Sequence, residues 1–329
     1  MSYEDDLFFF PVLEENEDSS IKELSKLWAK RYIQNIVELD PTSSGREEIA
    51  SQLFGNLRSA SARAWMTTEN LLAREVKRHK IDSKLIDPWE ISKDAYYIYE
   101  KALSAYAENV IPRRLSVQIS ADLGSIRSKW TNLDPRVISF VSMQFHHTGR
   151  ELISDLPQKD QYLLSEYFKV IDDHLYMPLQ RAYEAAAKED YNSPKLDVVQ
   201  QLLPISGKIA QDICKRVIDL YPNYQSASGL LSKPSVRVSS LRDVEMFQVY
   251  LWVCVLEGNT SAIQEELFPL CLMLYPTLNV SWELVRQMLH LMGQRIHAEL
   301  TAKQVATLQP YMQALWVMFS PQVLLALKH

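Results

Sequence analysis

Glycine is scarce in this chain, with 8 residues in 329, whereas 15 prolines fall mostly between stretches of helical periodicity. Sandwiches and barrels of short strands need turn residues at close intervals, and glycine supplies many of them. A chain so poor in glycine is expected to be all-α. With 47% hydrophobic residues it can bury sizeable cores, and its length exceeds one typical domain, so two helical domains are expected.

Residues 1–20 are acidic, lack helical periodicity and are expected to form a tail. Asp18-Ser19-Ser20 supplies caps for a helix whose apolar face is Ile21, Leu24, Leu27, Trp28, Ile33 and Ile36. Pro41-Thr42-Ser43-Ser44-Gly45 is a turn, and Arg46 to about Lys80 reads as one or two helices with Ile49, Leu53, Leu57 and Trp65 inward. Further helices are expected at about Ser92 to Val110, Leu115 to Trp130, and from Asp134-Pro135 through His146-His147. A boundary is placed between Gly149 and Asp160, which separates a helical domain over 21–155 from a second over 156–329. The second is read as helices near Lys159 to Tyr176, Pro178 to Lys188, Lys195 to Tyr221, Ser240 to Glu257, Ser261 to Tyr275, Ser281 to Leu300 and Thr301 to Phe319.

The formal net charge of -6 opposes a nucleic-acid backbone. Two local clusters run against it: Arg74, Lys77, Arg78, His79 and Lys80 on one helix, and Arg113-Arg114 at the start of another. They could neutralise phosphates in a transcriptional regulator, or lie on solvated faces and helix ends. The ordinary reading is preferred, so nucleic acid is not an expected partner. The cysteines, Cys214, Cys254 and Cys271, sit in apolar helical contexts without CxxC or metal-ligand spacing, which predicts reduced core thiols and a cytoplasmic protein. Glu4, Asp5 and Asp6 precede Phe8-Phe9-Phe10, the reverse of a secretory leader, and no apolar run is long enough to span a bilayer.

No phosphate-binding loop, dinucleotide fingerprint, nucleophile elbow or zinc-protease motif is present, and the chain is read as not an enzyme. His290 and His297 stand two helical turns apart and His146-His147 are adjacent. Neither spacing suits one ion, so no metal is expected.

The stretch that opens at Ser240-Leu241-Arg242-Asp243 and closes at Gly258-Asn259-Thr260-Ser261 resembles the chromophore-pocket helix of the phycobiliproteins. Read forward without a gap, the family pattern is met at Arg242, Asp243, Tyr250, Gly258, Ser261, Glu265, Tyr275, Leu278 and Val280. Lys208-Ile209 through Tyr221 resembles the helix before the pigment loop, and Met288 to Phe319 the closing helices. The likeness runs from about Leu156 to the C-terminus and points to the allophycocyanin-like branch. It implies a globin-like C-terminal domain and a cyanobacterial or plastid source.

In that family the pigment hangs on a Cys two residues before the Arg-Asp pair, a position that Ser240 takes here, and a serine hydroxyl cannot make the thioether. A second family Cys falls at Leu267. The resemblance implies that Arg242 pairs with a bilin propionate and that Asp243 accepts pyrrole N–H bonds. Arg237 could stand in for a further propionate-binding Arg, although out of register, and Trp252 with Phe247 could flank a flat ligand. The plainer alternative is that Ser239 or Ser240 caps the helix, Asp243 answers its dipole from the first turn, Arg242 is solvated and Trp252 is core. Without the thioether no cofactor is expected, and the chain is read as a non-enzymatic regulatory or interaction protein with protein partners such as light-harvesting components, or a second copy of itself. A noncovalent bilin held by Arg242 and Asp243 is the alternative.

Overall fold

A computed structural model describes residues 43–325. The acidic tail over 1–20 and the helix expected from Ile21 lie outside the described residues. Helices make up nearly all of the rest: α1 (Ser43–Arg78), α2 (Pro88–Ala107), α3 (Pro112–Thr131), α4 (Ile138–Ile153), α5 (Gln158–Tyr176), α6 (Leu179–Ala186), α7 (Pro194–Leu202) and α8 (Ser206–Leu220). They continue as α9 (Pro234–Glu257), a π-helical turn (Ala262–Leu267), α10 (Phe268–Leu274), α11 (Trp282–His297), α12 (Ala302–Met318) and α13 (Pro321–Leu325). Among the described residues the β pairing is a two-residue antiparallel ribbon, β1 (Gln225–Ser226) with β2 (Gly229–Leu230), in the loop before α9. The all-α expectation holds.

Helix starts follow local chemistry. Asp87 accepts from the backbone N–H groups of Trp89 (2.9 Å) and Glu90 (3.2 Å), and Pro88 occupies the first turn, where its missing N–H costs nothing. This cap moves the start of α2 four residues ahead of the expected Ser92. Thr301 and Gln304 form a reciprocal capping box on α12. The expected Lys195-to-Tyr221 helix is instead two, because Pro204 lies in a 3-10 turn, Leu203–Ile205, between α7 and α8. At the other end of α9, Gly258 takes φ 71°, a left-handed stop that side chains resist.

Buried residues recur on α1 at Arg46, Ala50, Leu53, Leu57, Ala60, Ala64, Thr68, Leu72 and Glu75, a three-and-four spacing that makes one continuous stripe. This stripe packs along α4 and α2, and the Gln144 amide of α4 donates to the Ser61 carbonyl at 2.9 Å. Gly149 lets α4 approach closely, since a Cβ there would stand 2.6 Å from the Tyr99 hydroxyl and 3.1 Å from the Phe168 ring. In the C-terminal half α9 is central, buried almost all round from Val244 to Leu256, with α6, α8 and α12 packed on it.

The link between α4 and α5 contains the 155/156 boundary. Buried side chains nevertheless form one cluster from Ala50 to Phe319 across it, so we retain the division as a proposal about sequence origin rather than about separate cores. A buried polar bridge also crosses it. Arg127 on α3 donates to the Leu175 carbonyl, the Tyr250 hydroxyl and, at 2.7 Å, Glu266 of the π-helical turn. Glu266 is shared with Arg181, which also grips both oxygens of Glu257 at 2.6 and 2.7 Å.

Candidate functional site

Pro234 occupies the first turn of α9, so this helix begins before the Ser-Leu-Arg-Asp stretch. The expectation that Ser239 or Ser240 caps it is therefore corrected. Both hydroxyls donate back to carbonyls four residues earlier, Ser239 to Ser235 (3.3 Å) and Ser240 to Val236 (2.9 Å). Asp243 lies beyond the first turn, where the helix dipole has faded. What holds Arg242 and Asp243 is a cavity.

That cavity encloses about 500 Å³. Its apolar floor comes from α8 (Ile213, Val217), α10 (Leu270, Leu274) and α11 (Leu284, Met288). One side is polar, with Ser239, Ser240, Arg242 and Asp243 from α9, Tyr176 from the end of α5, and Tyr275 just after α10. The wall is completed from outside the C-terminal half by Thr67 and Asn70 of α1 and by Met143, His146, His147 and Arg150 of α4. Cys214 and Cys271 also line it.

Arg242 is deeply set. Its guanidinium carbon stands 3.8 Å from the centroid of the Tyr176 ring, and its nitrogens lie 3.4 Å from Asp172 and 3.9 Å from Asp243. Its Nε is buried without a hydrogen-bond partner among the described residues. Burial works against the guanidinium charge, but Tyr176 and the carboxylates Asp172, Asp243 and Asp173 outweigh it, and proton affinity is raised. Asp172 is also bonded to His146 Nδ1 at 2.8 Å. Burial would raise its pKa, yet His146, Arg242 and Lys169 together bring it below the ordinary carboxylate value.

Asp243 behaves differently. Burial pushes its carboxyl up to about 6, against the opposing pull of Arg242 and a hydrogen bond from Tyr275. His147 on the α4 wall is lowered to about 4, chiefly by burial and then by the neighbouring His146 and Arg150, and its Nε2 is buried without a partner among the described residues. Neutral at physiological pH, this imidazole has an unspent ring nitrogen.

Of the residues singled out in the sequence, Arg242 and Asp243 come together in the cavity, and Ser240 stands beside them. Arg237 does not, being exposed on the first turns of α9. Trp252 is buried but does not line the cavity, since ten residues along a helix is about 15 Å. Its partner Phe247 packs instead on Phe319, with ring centroids 5.4 Å apart. Lys77 and Arg78 end α1, Arg113 and Arg114 begin α3, and all four are exposed. Among the described residues no group of His, Cys, Asp and Glu is arranged to hold a metal ion, and no helix is long and apolar enough to cross a membrane.

Sequence reasoning missed Tyr176 and Arg150 and considered His146-His147 only as metal ligands. It read the carboxylate pairs Asp172-Asp173 and Glu265-Glu266 as solvated helix faces, which is corrected, because Asp172 is mostly buried against His146 and Arg242 and Glu266 is buried against Arg127. A signal for the α4 wall does exist, because His146-His147-Thr148-Gly149-Arg150 interrupts an otherwise apolar helix.

A helical C-terminal half built around one buried helix is the arrangement of a globin-like domain, and here a cavity lies beside its Arg-Asp pair. Residues 170–317 match the model of the phycobilisome protein family, so the C-terminal half carries a phycobilisome-protein domain, preceded by a helical N-terminal region. No curated protein and no solved structure matches the chain significantly.

Proposed function

We propose that this protein is a noncovalent bilin-binding member of the phycobilisome group, a light-harvesting or photosensory protein of cyanobacterial or plastid origin. The observation that carries the reading is the cavity of about 500 Å³ with Arg242 and Asp243 in its wall. Its size falls within the roughly 300–1,000 Å³ of small-molecule sites, and its mostly apolar lining with few convergent polar groups is typical of them. Proteins of this family bind bilins.

The residues present fit such a group. Asp243, raised to about 6 by burial, gains acceptor work if several pyrrole N–H groups converge on it. A bilin, when bound, supplies visible absorption and emission; the chain holds and orients it and excludes water. Attachment is read as noncovalent for two reasons. By the resemblance read in the sequence, Ser240 takes the place of the family Cys and offers only an alcohol, and burial keeps the two cavity thiols protonated, with Cys214 pushed up to about 12 and Cys271 well above its usual value. The family is non-enzymatic in general, which agrees with the lack of a catalytic motif.

The test is to purify the protein from bilin-producing cells and record its visible spectrum, then repeat with Asp243→Asn. A bound chromophore released by denaturing acid without covalent residue is expected, with at least about tenfold weaker retention in the variant. A colourless wild type from those cells overturns the reading.

One observation favours a second reading. Arg242 is already neutralised internally by Asp172 and Asp243, so the fold stands without a ligand. It could serve as a regulatory or interaction protein for light-harvesting components, or as a homo-oligomer.

A further inference from the structure

Family likeness assigns the ligand's acidic group to Arg242, but the charges around Arg242 speak against that. Two carboxylates, Asp172 at 3.4 Å and Asp243 at 3.9 Å, already answer it, and the Tyr176 ring covers one side. An entering carboxylate would be the third anion around one guanidinium. Where two like charges crowd one partner, the second gains little and the desolvation cost stays.

Among the described residues the cavity wall has one other arginine, and no lysine. Arg150 stands at the exposed end of α4 and has no hydrogen bond or ion pair among the described residues. Its neighbour in sequence, Glu151, is committed to Arg63 at 2.7 Å. One turn before Arg150, on the same face of α4, stands His147 with its buried and unpartnered Nε2. The two lie close enough for Arg150 to depress the imidazole. His146, by contrast, is already spent on Asp172 at 2.8 Å.

We propose that Arg150 and His147 of α4 form an acid-binding subsite of the cavity and take a carboxylate arm of the ligand. The proposal rests on the bilin reading above and deepens it. A linear tetrapyrrole offers pyrrole N–H groups and propionate arms at different places on one molecule. Asp243 on α9 receives the N–H groups; α4 receives a propionate, through a charge-assisted bond from the Arg150 guanidinium and a hydrogen bond from His147 Nε2–H. The site is then composite. Its acid-binding part lies outside the matched segment 170–317, and the N-terminal region has a direct part in binding.

The test uses the full-length protein, titrated with biliverdin and with biliverdin dimethyl ester, and followed by visible absorbance. Wild type is expected to bind the diacid at least about tenfold tighter than the ester. Arg150→Leu should weaken the diacid about tenfold and leave the ester unchanged, while Arg150→Lys recovers part of the loss. His147→Phe should also weaken the diacid more than the ester. Arg150 is exposed, so the fold should survive its replacement, and far-ultraviolet circular dichroism checks this. Equal effects of Arg150→Leu on both probes, or none on either, overturn the subsite. If wild type binds both probes alike and Asp243→Asn weakens both, the pocket reading stands and the acid subsite falls. If wild type binds neither probe, both readings fall together.

Discussion

The guanidinium of Arg242 and the ring of Tyr176 meet face to charge, 3.8 Å from carbon to centroid, inside the cavity wall. This contact fixes a cation between Asp172 and Asp243, and it explains how two carboxylates coexist beside an apolar floor. Removing the cation strands both. Arg242→Met is therefore expected to destabilise the fold by about 3–5 kcal/mol, the scale for breaking a buried pair on one side. Arg242→Lys should recover part of this, because the charge returns without the planar stack. Urea unfolding measures both, and a loss under about 1 kcal/mol for the methionine variant would show that the carboxylates do not depend on Arg242.

Asp243 gives stability a sign that is unusual for a carboxylate. Its folded-state pKa is raised from 3.8 to about 6, so between those values the unfolded chain has lost the proton that the folded chain still holds. Stability falls as pH rises through that window, and the penalty is constant above it. Below about pH 4 both states are protonated and the penalty vanishes. Asp243→Asn removes the titration, so at pH 7 it is expected to be more stable than wild type by on the order of 2 kcal/mol. The gap should close towards pH 4. Denaturation at both values checks this, and a gap that widens on acidification contradicts it.

The helical fold was legible because glycine is scarce and the apolar periodicity is strong, and the Arg242-Asp243 pair was legible because its spacing to Tyr250, Gly258 and Tyr275 survives. Helix starts set by Asp87 and Pro234 were placed late, since capping and proline at the first turn act through a few atoms that periodicity does not register. The cavity's far wall could not be read at all. His147 and Arg150 line the same cavity as Asp243 only because α4 packs against the C-terminal half, which brings together residues more than ninety positions apart in sequence. Trp252 is core, the plainer of its two readings, and not a flank of the cavity, because the helix axis carries it about 15 Å beyond Arg242.

The polar bridge between the halves should be strongly non-additive. Glu266 accepts from Arg127 at 2.7 Å and also from Arg181, so Glu266→Leu leaves a buried guanidinium without its carboxylate. A loss of about 3–5 kcal/mol is expected. In Arg127→Met/Glu266→Leu the stranded charge is gone, and the double variant should be less damaged than the sum of the two singles by at least about 1 kcal/mol. Additive losses in a urea double-mutant cycle would show that Arg127 and Glu266 act independently.

The thiols test the depth of the cavity. Cys214 and Cys271 line it while Cys254 does not, yet all three are buried. Burial, followed by the nearby Asp243 charge, pushes Cys214 up to about 12 and Cys271 well above the ordinary thiol range, and burial raises Cys254 to about 11. Because the thiolate is the nucleophile, alkylation by iodoacetamide at pH 8 should be at least about a hundredfold slower in the native protein than in urea, where all three should label. Bilin in the cavity should slow Cys214 and Cys271 further and leave Cys254 unchanged. Ordinary native reactivity at Cys271 would mean that water and base reach the cavity floor. The protonated thiol would then no longer separate a noncovalent ligand from an attached one.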